Sequence, residues 1–288
     1  MNIKAKHLTL RYGREEILHD MNFEISEPKI YGLLGRNGAG KTSLLSLIGS
    51  FCEPTSGQIL VNGEVPFENT RIMQEITFMY DKDFGDETDP PSRILKDIYR
   101  YRPHFDLEYG MQLLKKFKLE GEKSVAKLSK GKQSAFNVVV GLASRSSITI
   151  FDEVYLGMDA PARDMFYKEL LKDQQLRPRI IILSTHLVTE MDYLFDEVII
   201  IKEGKILLKE PYDEIVSRGV TVTGSKQAVE EFVEGKNALH EEQLGDTRAV
   251  TLYGKVSESE QAYARELGLQ TRSVSLHDLF IHLTKEEG

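Results

Sequence analysis

A glycine-rich loop between an apolar run and a helical segment sets the fold class of this chain. The apolar run Ile30–Leu34 precedes the sequence GRNGAGKT, and the following SLLSLIGSF has its apolar residues at helical spacing. This order predicts a strand, a phosphate-binding loop and a helix. Glycines let backbone N–H groups point inward, and the start of the helix favours an anion. The sequence therefore predicts an α/β P-loop core that binds a nucleotide.

The loop supplies two side chains with expected roles. Lys41 is expected to reach the β- and γ-phosphates, and the hydroxyl of Thr42 is expected to bind Mg²⁺. A plain glycine-rich turn before a helix is the alternative, but every fixed position of the motif is present. The predicted ATP-binding residues of this segment are Gly35, Arg36, Asn37, Gly38, Ala39, Gly40, Lys41, Thr42 and Ser43.

Length and charge limit what the chain can be. A chain of 288 residues exceeds a usual single domain, so a large domain with a smaller one is expected. The formal net charge of −8 argues against a nucleic-acid partner, because phosphate backbones are bound chiefly by clustered Lys and Arg. The single cysteine, Cys52, excludes an internal disulfide, and the first ten residues lack a secretory apolar segment, which favours the cytoplasm. Apolar runs such as Val198–Ile201 are too short to cross a bilayer, so any membrane role needs a partner.

The pattern along residues 1–210 predicts four parts. Alternating segments at 7–12, 21–26 and 56–64 predict an antiparallel β subdomain, with residues 14–20 as a turn and 56–64 as a hairpin. Residues from about 88 to 145 are helical in pattern and predict an inserted helical subdomain. The apolar runs Ile148–Phe151 and Ile180–Leu183, separated by an amphipathic helix, suit a parallel sheet, and VIIIKEGKILL predicts a closing hairpin.

Residues 211–288 have a different pattern. Strand-like GVTVTG, RAVTLYG and TRSVS alternate with helical QAVEEFVEGK and SEQAYARELG, and LHDLFIHLTK closes the chain. With ALHEEQ as a further strand, the order predicts a small α+β accessory domain of the split βαβ type.

Two carboxylates end a buried strand. Asp152 and Glu153 directly follow the apolar run Ile148–Phe151, where an unpaired charge would be costly without a metal or ligand. In a P-loop ATPase, Asp152 would hold Mg²⁺ and Glu153 would polarise the attacking water as the catalytic residue. The alternative is a solvated turn, and the P-loop upstream favours the catalytic interpretation.

These motifs together resemble the ABC transporter ATPase family over about residues 3–210. Leu128–Lys132 is similar to the family signature LSGGQ, which implies that Ser129 and Gly131 meet the γ-phosphate held by the opposite subunit. Ser184–His186 resembles the switch histidine, so the resemblance implies that His186 contacts the γ-phosphate. Gly157–Asp159 resembles the D-loop, and Tyr12 lies where the family stacks an aromatic ring on adenine.

The chain departs from the family pattern at several positions. Where the family has a glutamine after the strand Ile76–Met79, this chain has Asp81, so either Asp81 takes that role or the role is absent. Val154 stands where a proline is usual, and Lys130 and Lys132 replace a glycine and a glutamine of the signature. The Ser-Lys-Gly form resembles that of bacterial exporters of the drug, bacteriocin and peptide-resistance kind, which favours export over import.

The resemblance implies the ATP-binding and ATP-hydrolysing subunit of an ABC transporter. One P-loop and one signature imply a head-to-tail dimer, either a homodimer or a heterodimer with a second ATPase subunit, beneath separate transmembrane subunits on the inner face of the membrane. ATP and Mg²⁺ are the implied cofactors. The alternative is a regulatory cassette that binds ATP and dimerises with little hydrolysis. A soluble ATPase acting on ribosomes or DNA is the least favoured interpretation, because the chain has neither two fused cassettes nor long coiled coils between motifs.

Overall fold

The structure, a computed structural model, describes residues 1–121 and 124–285 in two compact units. The first unit comprises Met1–His186 and Leu194–Leu208, and the second comprises Leu187–Tyr193 and the residues from Lys209 onward. Residues 122–123 of the expected helical insertion and 286–288 of the expected accessory domain lie outside the described part. No described helix is long and apolar enough to cross a membrane.

The described residues form the following helices and strands, with short 3₁₀ turns at Val125–Lys127 and Asp192–Leu194. In chain order they are β1 (Ile3–Tyr12), β2 (Glu15–Ile25), β3 (Ile30–Gly35), α1 (Lys41–Ile48), β4 (Ser56–Val61), α2 (Thr70–Gln74), β5 (Ile76–Met79), α3 (Pro91–Tyr101), α4 (Leu107–Lys116), α5 (Lys130–Ala143), β6 (Ile148–Asp152), α6 (Ala160–Leu176), β7 (Ile180–Thr185), α7 (Val188–Met191), β8 (Glu197–Lys202), β9 (Lys205–Pro211), α8 (Tyr212–Ser217), β10 (Gly219–Ser225), α9 (Lys226–Val233), β11 (Ala238–Leu244), β12 (Thr247–Tyr253), α10 (Glu258–Glu266), β13 (Gln270–Ser273) and α11 (Leu276–Thr284).

The first unit contains a three-stranded antiparallel sheet in the order β2-β1-β4. The predicted turn at residues 14–20 is wrong, because β2 begins at Glu15 and pairs through Glu16 and Leu18 with β1. The turn is confined to Gly13 and Arg14, and Gly13 supplies the left-handed φ of 62° that it needs. The predicted hairpin at 56–64 is present only as a single antiparallel bridge between Val61 and Glu64, and β4 pairs along its length with β1 instead.

A six-stranded sheet in the order β5-β6-β7-β3-β8-β9 forms the centre of the first unit. The strands β5, β6, β7, β3 and β8 run parallel, and every residue of β3, β6 and β7 is buried. The prediction of a parallel sheet from these apolar runs is therefore confirmed. Strand β9 lies beside β8 at the edge of the sheet. In register, Asp152 lies beside Ser184, and Leu34 lies beside Thr185. The carboxyl ends of β3, β6 and β7 consequently meet at one edge of the sheet.

The helices α3, α4 and α5 lie between β5 and β6 in the sequence, as predicted for the helical insertion. Leu95, Leu113 and Leu114 are buried within the insertion, and α5 contacts β5 and β6 of the central sheet. The insertion is thus anchored to the strand that carries Asp152.

The second unit contains an antiparallel sheet in the order β11-β12-β10-β13. Buried Val222, Val250 and Leu252 of this sheet pack with Phe232 of α9 and Leu269. The order strand, helix, strand, strand, helix, strand confirms the split βαβ interpretation, with ALHEEQ as β11. In the same unit, α11 contacts α7 and α8.

Candidate active site

The glycine-rich loop joins β3 to α1 at the carboxyl edge of the central sheet. Gly38 and Gly40 have φ values of 81° and 101°, a region that side chains with a Cβ rarely adopt. A Cβ on Gly40 would also lie 2.7 Å from Cδ2 of Leu18. The loop conformation therefore requires glycine at these positions, which is the physical reason for the sequence pattern.

Neighbouring segments of the first unit brace the loop. The N–H of Gly204, in the turn between β8 and β9, donates to the carbonyl of Ala39 at 3.1 Å. The N–H of His19 in β2 donates in turn to the carbonyl of Gly204 at 2.8 Å. The phosphate-binding loop is thus held from both sheets before any ligand arrives.

Lys41 is a buried cation inside the loop. Its Nζ donates to the carbonyls of Gly35 at 2.8 Å and Arg36 at 3.3 Å, and it lies 3.9 Å from Oε1 of Glu153. Burial lowers the pKa of Lys41, and the carboxylates of Glu153 and Asp152 oppose that shift. An ammonium group held by carbonyls in a loop of this shape is suited to bind phosphate oxygens.

Thr42 at the start of α1 and Asp152 at the end of β6 lie far apart in the sequence but are in contact in the structure. The Thr42 hydroxyl donates to Oδ2 of Asp152 at 2.7 Å, and Asp152 is buried. A hydroxyl and a carboxylate are hard oxygen donors of the type that Mg²⁺ prefers, so this pair fits that ion.

Glu153 and His186 form the next pair along the same edge. Nδ1 of His186 lies 2.9 Å from Oε1 of Glu153. Glu153 has a φ of 54°, an uncommon conformation for a non-glycine residue, which tends to occur at functional sites. Lys41, Glu153 and His186 therefore form one series of contacts. Thr42 and Asp152, their neighbours in the sequence, form a second contact at the same edge.

Tyr155 supports this arrangement and was not singled out from the sequence. It is fully buried, its hydroxyl donates to the carbonyl of Ser184 at 2.8 Å, and burial raises its pKa well above the usual value. The N–H of Glu153 reaches the same carbonyl at 3.3 Å. The only signal in the sequence was an aromatic residue closely following the two carboxylates.

The signature and D-loop residues lie at helix starts. The Ser129 hydroxyl accepts from the N–H of Lys132 at 3.4 Å and caps α5, and Asp159 accepts from the N–H of Ala162 at 3.0 Å and caps α6. A Cβ on Gly131 would lie 2.8 Å from the carbonyl oxygen of Gly157. The start of α5 is therefore in close contact with the loop that leads to Asp159.

The remaining predicted residues have other described surroundings. Tyr12 is 52% exposed at the end of β1. The carboxylate of Asp81 forms an ion pair with Lys130. Arg36 and Asn37 are exposed in the loop, and Ser43 is partly buried in the first turn of α1.

The chain is similar to several known proteins. The profile of the family described as ABC transporter matches residues 18–155. An uncharacterized ABC transporter ATP-binding protein of Methanocaldococcus jannaschii is 30% identical over 206 residues, which are 70% of this chain and 75% of that protein. The Nod factor export ATP-binding protein I of Burkholderia lata is 27% identical over 99% of this chain and 97% of its own length.

Two further relatives extend the comparison. The bacitracin transport ATP-binding protein BcrA of Bacillus licheniformis is 28% identical over 75% of this chain and 72% of its own length. A solved structure described as the ATP binding subunit of an ABC transporter has a TM-score of 0.67 and 24% identity, covering 75% of this chain and 92% of that chain. That structure shares the fold.

Proposed function

The chain belongs to the ABC transporter ATP-binding proteins, and on that premise we propose that its ATP hydrolysis powers export of a substrate through separate membrane subunits. The chain is an ATP-binding subunit and an ATPase, as members of this family are. The observation that supports ATP hydrolysis is the contact of Glu153 with Lys41 and His186, beside the Thr42–Asp152 pair.

Each site residue has a role in the proposed reaction. The loop from Gly35 to Ser43 surrounds the phosphates, and the Lys41 ammonium neutralises charge on the β- and γ-phosphates. Thr42 and Asp152 would hold Mg²⁺, which when bound offsets negative charge on the phosphates. Tyr12 provides an exposed aromatic ring for the adenine.

Glu153 and His186 act on the attacking water. The Glu153 carboxylate accepts a proton from the water, and its hydrogen bond with His186 Nδ1 fixes the orientation of the carboxylate. The N–H of Glu153 also donates to the carbonyl of Ser184 at 3.3 Å, which holds the backbone from which the carboxylate extends. This preorganisation supports hydrolysis over the alternative of a regulatory cassette that only binds ATP.

ABC ATPase subunits dimerise and work with transmembrane subunits. We infer that Ser129, Gly131 and Asp159 of one chain complete the ATP site of a second chain, which is either a copy of this one or a different ATPase subunit. The close contact between Gly131 and Gly157 supports a single surface made by the signature and the D-loop. Binding to transmembrane subunits would place the dimer on the inner face of the cell membrane.

Two observations favour export as the direction of transport. The Ser129-Lys130-Gly131 form of the signature resembles that of bacterial exporters. The Burkholderia lata relative, whose name states Nod factor export, matches over 99% of this chain, so the likeness includes the second unit. Residues 211–288 would then be an accessory domain with an interaction or regulatory role, since the nucleotide-binding residues all precede it.

Mixing two inactive variants tests the shared site. Lys41→Ala removes the phosphate-binding cation, and Ser129→Arg blocks the signature, so each variant alone should release little phosphate from ATP. In a mixed dimer of the two, one site combines an intact P-loop with an intact signature, and phosphate release should return. A mixture that stays as inactive as its parents, while both variants remain folded, contradicts a site shared by two copies and favours a different partner subunit.

A further inference from the structure

Two departures from the family pattern lie against each other in the structure. Asp81, two positions after β5, forms an ion pair with Lys130, the first residue of α5 and 49 positions away in sequence. Each side chain stands where the family has an uncharged residue, a glutamine and a glycine. Because the two opposite charges are in contact, the two replacements are explained together and not one at a time.

The start of α5 has a specific need for a negative charge. Its first turn contains Lys130 and Lys132 and no acidic residue. The partial positive charge of a helix N-terminus disfavours cations there, and an anion close to the same turn relieves that repulsion. Asp81 supplies this anion from outside the helix.

Neutral contacts join the same loop to the middle of α5. Nδ2 of Asn137 donates to the carbonyl of Tyr80 at 3.2 Å, and the rings of Phe84 and Phe136 pack edge to face with centroids 6.0 Å apart. These contacts fix the body of the helix. The Asp81–Lys130 pair adds a charged contact at its first turn, next to Ser129 and Gly131.

The position of this first turn bears on the active site. Gly131 follows Lys130 directly and approaches the carbonyl oxygen of Gly157 so closely that a Cβ would lie 2.8 Å from it. A shift of the first turn would therefore move the signature residues or displace the loop from Gly157 to Asp159.

We propose that Asp81 and Lys130 are positioning residues for ATP hydrolysis, which hold the signature turn of α5 in place, and that Asp81 does not bind nucleotide or metal itself. This inference rests on the proposed function of the signature. The side chains of Asp81 and Lys130 are 62% and 57% exposed, so salt screens their interaction. The pair is thus a modest, salt-sensitive restraint on the turn.

Charge reversal in the full chain distinguishes a role of the Asp81–Lys130 ion pair from direct binding of nucleotide or metal by Asp81. We expect Asp81→Lys and Lys130→Asp each to lower kcat for phosphate release about 3- to 10-fold, as expected for a charge contact turned repulsive near a surface. Affinity for ATP should stay within about twofold of the parent, since Lys41 and Thr42 are untouched, which also reports that each variant is folded. The double reversal should have a higher kcat than Lys130→Asp alone, because it replaces two facing carboxylates at positions 81 and 130 with an ion pair.

A matched control uses another exposed ion pair of the helical insertion. Asp97 and Arg100 pair on α3, and Asp97→Lys should leave kcat unchanged. The neutral double variant Asp81→Asn with Lys130→Gln should also have a flatter dependence of kcat on salt than the parent.

Three results would overturn the proposal. A double reversal with the same kcat as Lys130→Asp alone would show that the two side chains do not act as a pair. Single reversals with the parent kcat would show that the pair has no role in hydrolysis, and a loss of ATP affinity in Asp81→Lys would make Asp81 a ligand. Failure of the proposed function is a distinct result, because the unsubstituted chain would then release no phosphate.

Discussion

Replacement of Glu153 by glutamine isolates the chemical step from nucleotide binding. The amide keeps the size of the side chain and the left-handed backbone at φ 54°, but it cannot accept a proton from water. Loss of a general base typically lowers the rate by about 10²–10⁴-fold, which is about 2.7–5.5 kcal/mol of transition-state stabilisation. We therefore expect kcat for phosphate release to fall within this range.

ATP binding should survive this substitution. Lys41, Thr42 and Asp152 are unchanged. The substitution removes a negative charge 3.9 Å from Nζ of Lys41, so the carboxylate no longer competes with the phosphates for this cation. Binding titration should give an ATP affinity equal to or tighter than that of the parent. If ATP in the proposed shared site holds two chains together until it is hydrolysed, size-exclusion chromatography with ATP should show the substituted chain as a stable dimer.

The matched control for this experiment is Glu108→Gln, at an exposed position in the first turn of α4. It makes the same chemical change away from the candidate site and should leave kcat unchanged. Turnover of Glu153→Gln equal to that of the parent would refute the assignment of Glu153 as the base. Loss of ATP binding would instead show that Glu153 serves to hold nucleotide.

Three further predictions concern the loop, the signature turn and the second unit. Lys41→Ala should weaken ATP binding about 10- to 100-fold in a titration, because one charged hydrogen-bonding group contributes about 1.5–3 kcal/mol, whereas substitution of the exposed Lys205 by alanine should leave the affinity unchanged. An ATP affinity of Lys41→Ala equal to that of the parent would show that Lys41 is not part of the site. Gly131→Ala should lower kcat and destabilise the fold by about 1–3 kcal/mol in denaturant unfolding, because the new Cβ would clash with the backbone carbonyl of Gly157, which cannot rotate away as a side chain can. Stability and kcat equal to those of the parent would contradict the close contact. A chain ending at Leu208 should still bind ATP but have a lower melting temperature. Each buried side chain of residues 187–193 that loses its packing partners loses about 1.5–3 kcal/mol of stabilisation. A truncated chain that is folded yet binds no ATP would show that the second unit belongs to the site.

Local chemistry explains why the central sheet and the site could be predicted from the sequence. The runs Ile148–Phe151 and Ile180–Leu183 are apolar at every or nearly every position, which is the pattern of strands buried on both faces. Glycines at positions 38 and 40 are required by their positive φ, so the loop pattern has a direct conformational cause. Strand ends in a parallel sheet meet at one edge, which brings Glu153 after β6 and His186 after β7 into contact.

Long-range pairing explains what the sequence did not reveal. Residues 14–20 are rich in charge and read as a turn, yet their strand conformation is stabilised by pairing with β1. Nothing local indicates that the turn at Gly204 braces Ala39, or that Asp81 faces Lys130. These contacts depend on the packing of distant segments.

Phosphate release from ATP by the full chain, with and without Mg²⁺ and over a range of chain concentrations, tests the central claim most directly. The site built from Lys41, Thr42, Asp152 and Glu153 predicts release that requires Mg²⁺ and falls about 10²–10⁴-fold in the Glu153→Gln chain. A site shared by two chains predicts a rate per chain that rises with concentration until the dimer is saturated. Release that is independent of Mg²⁺ and of Glu153, or no release at any concentration even with the transmembrane subunits present, would contradict the account.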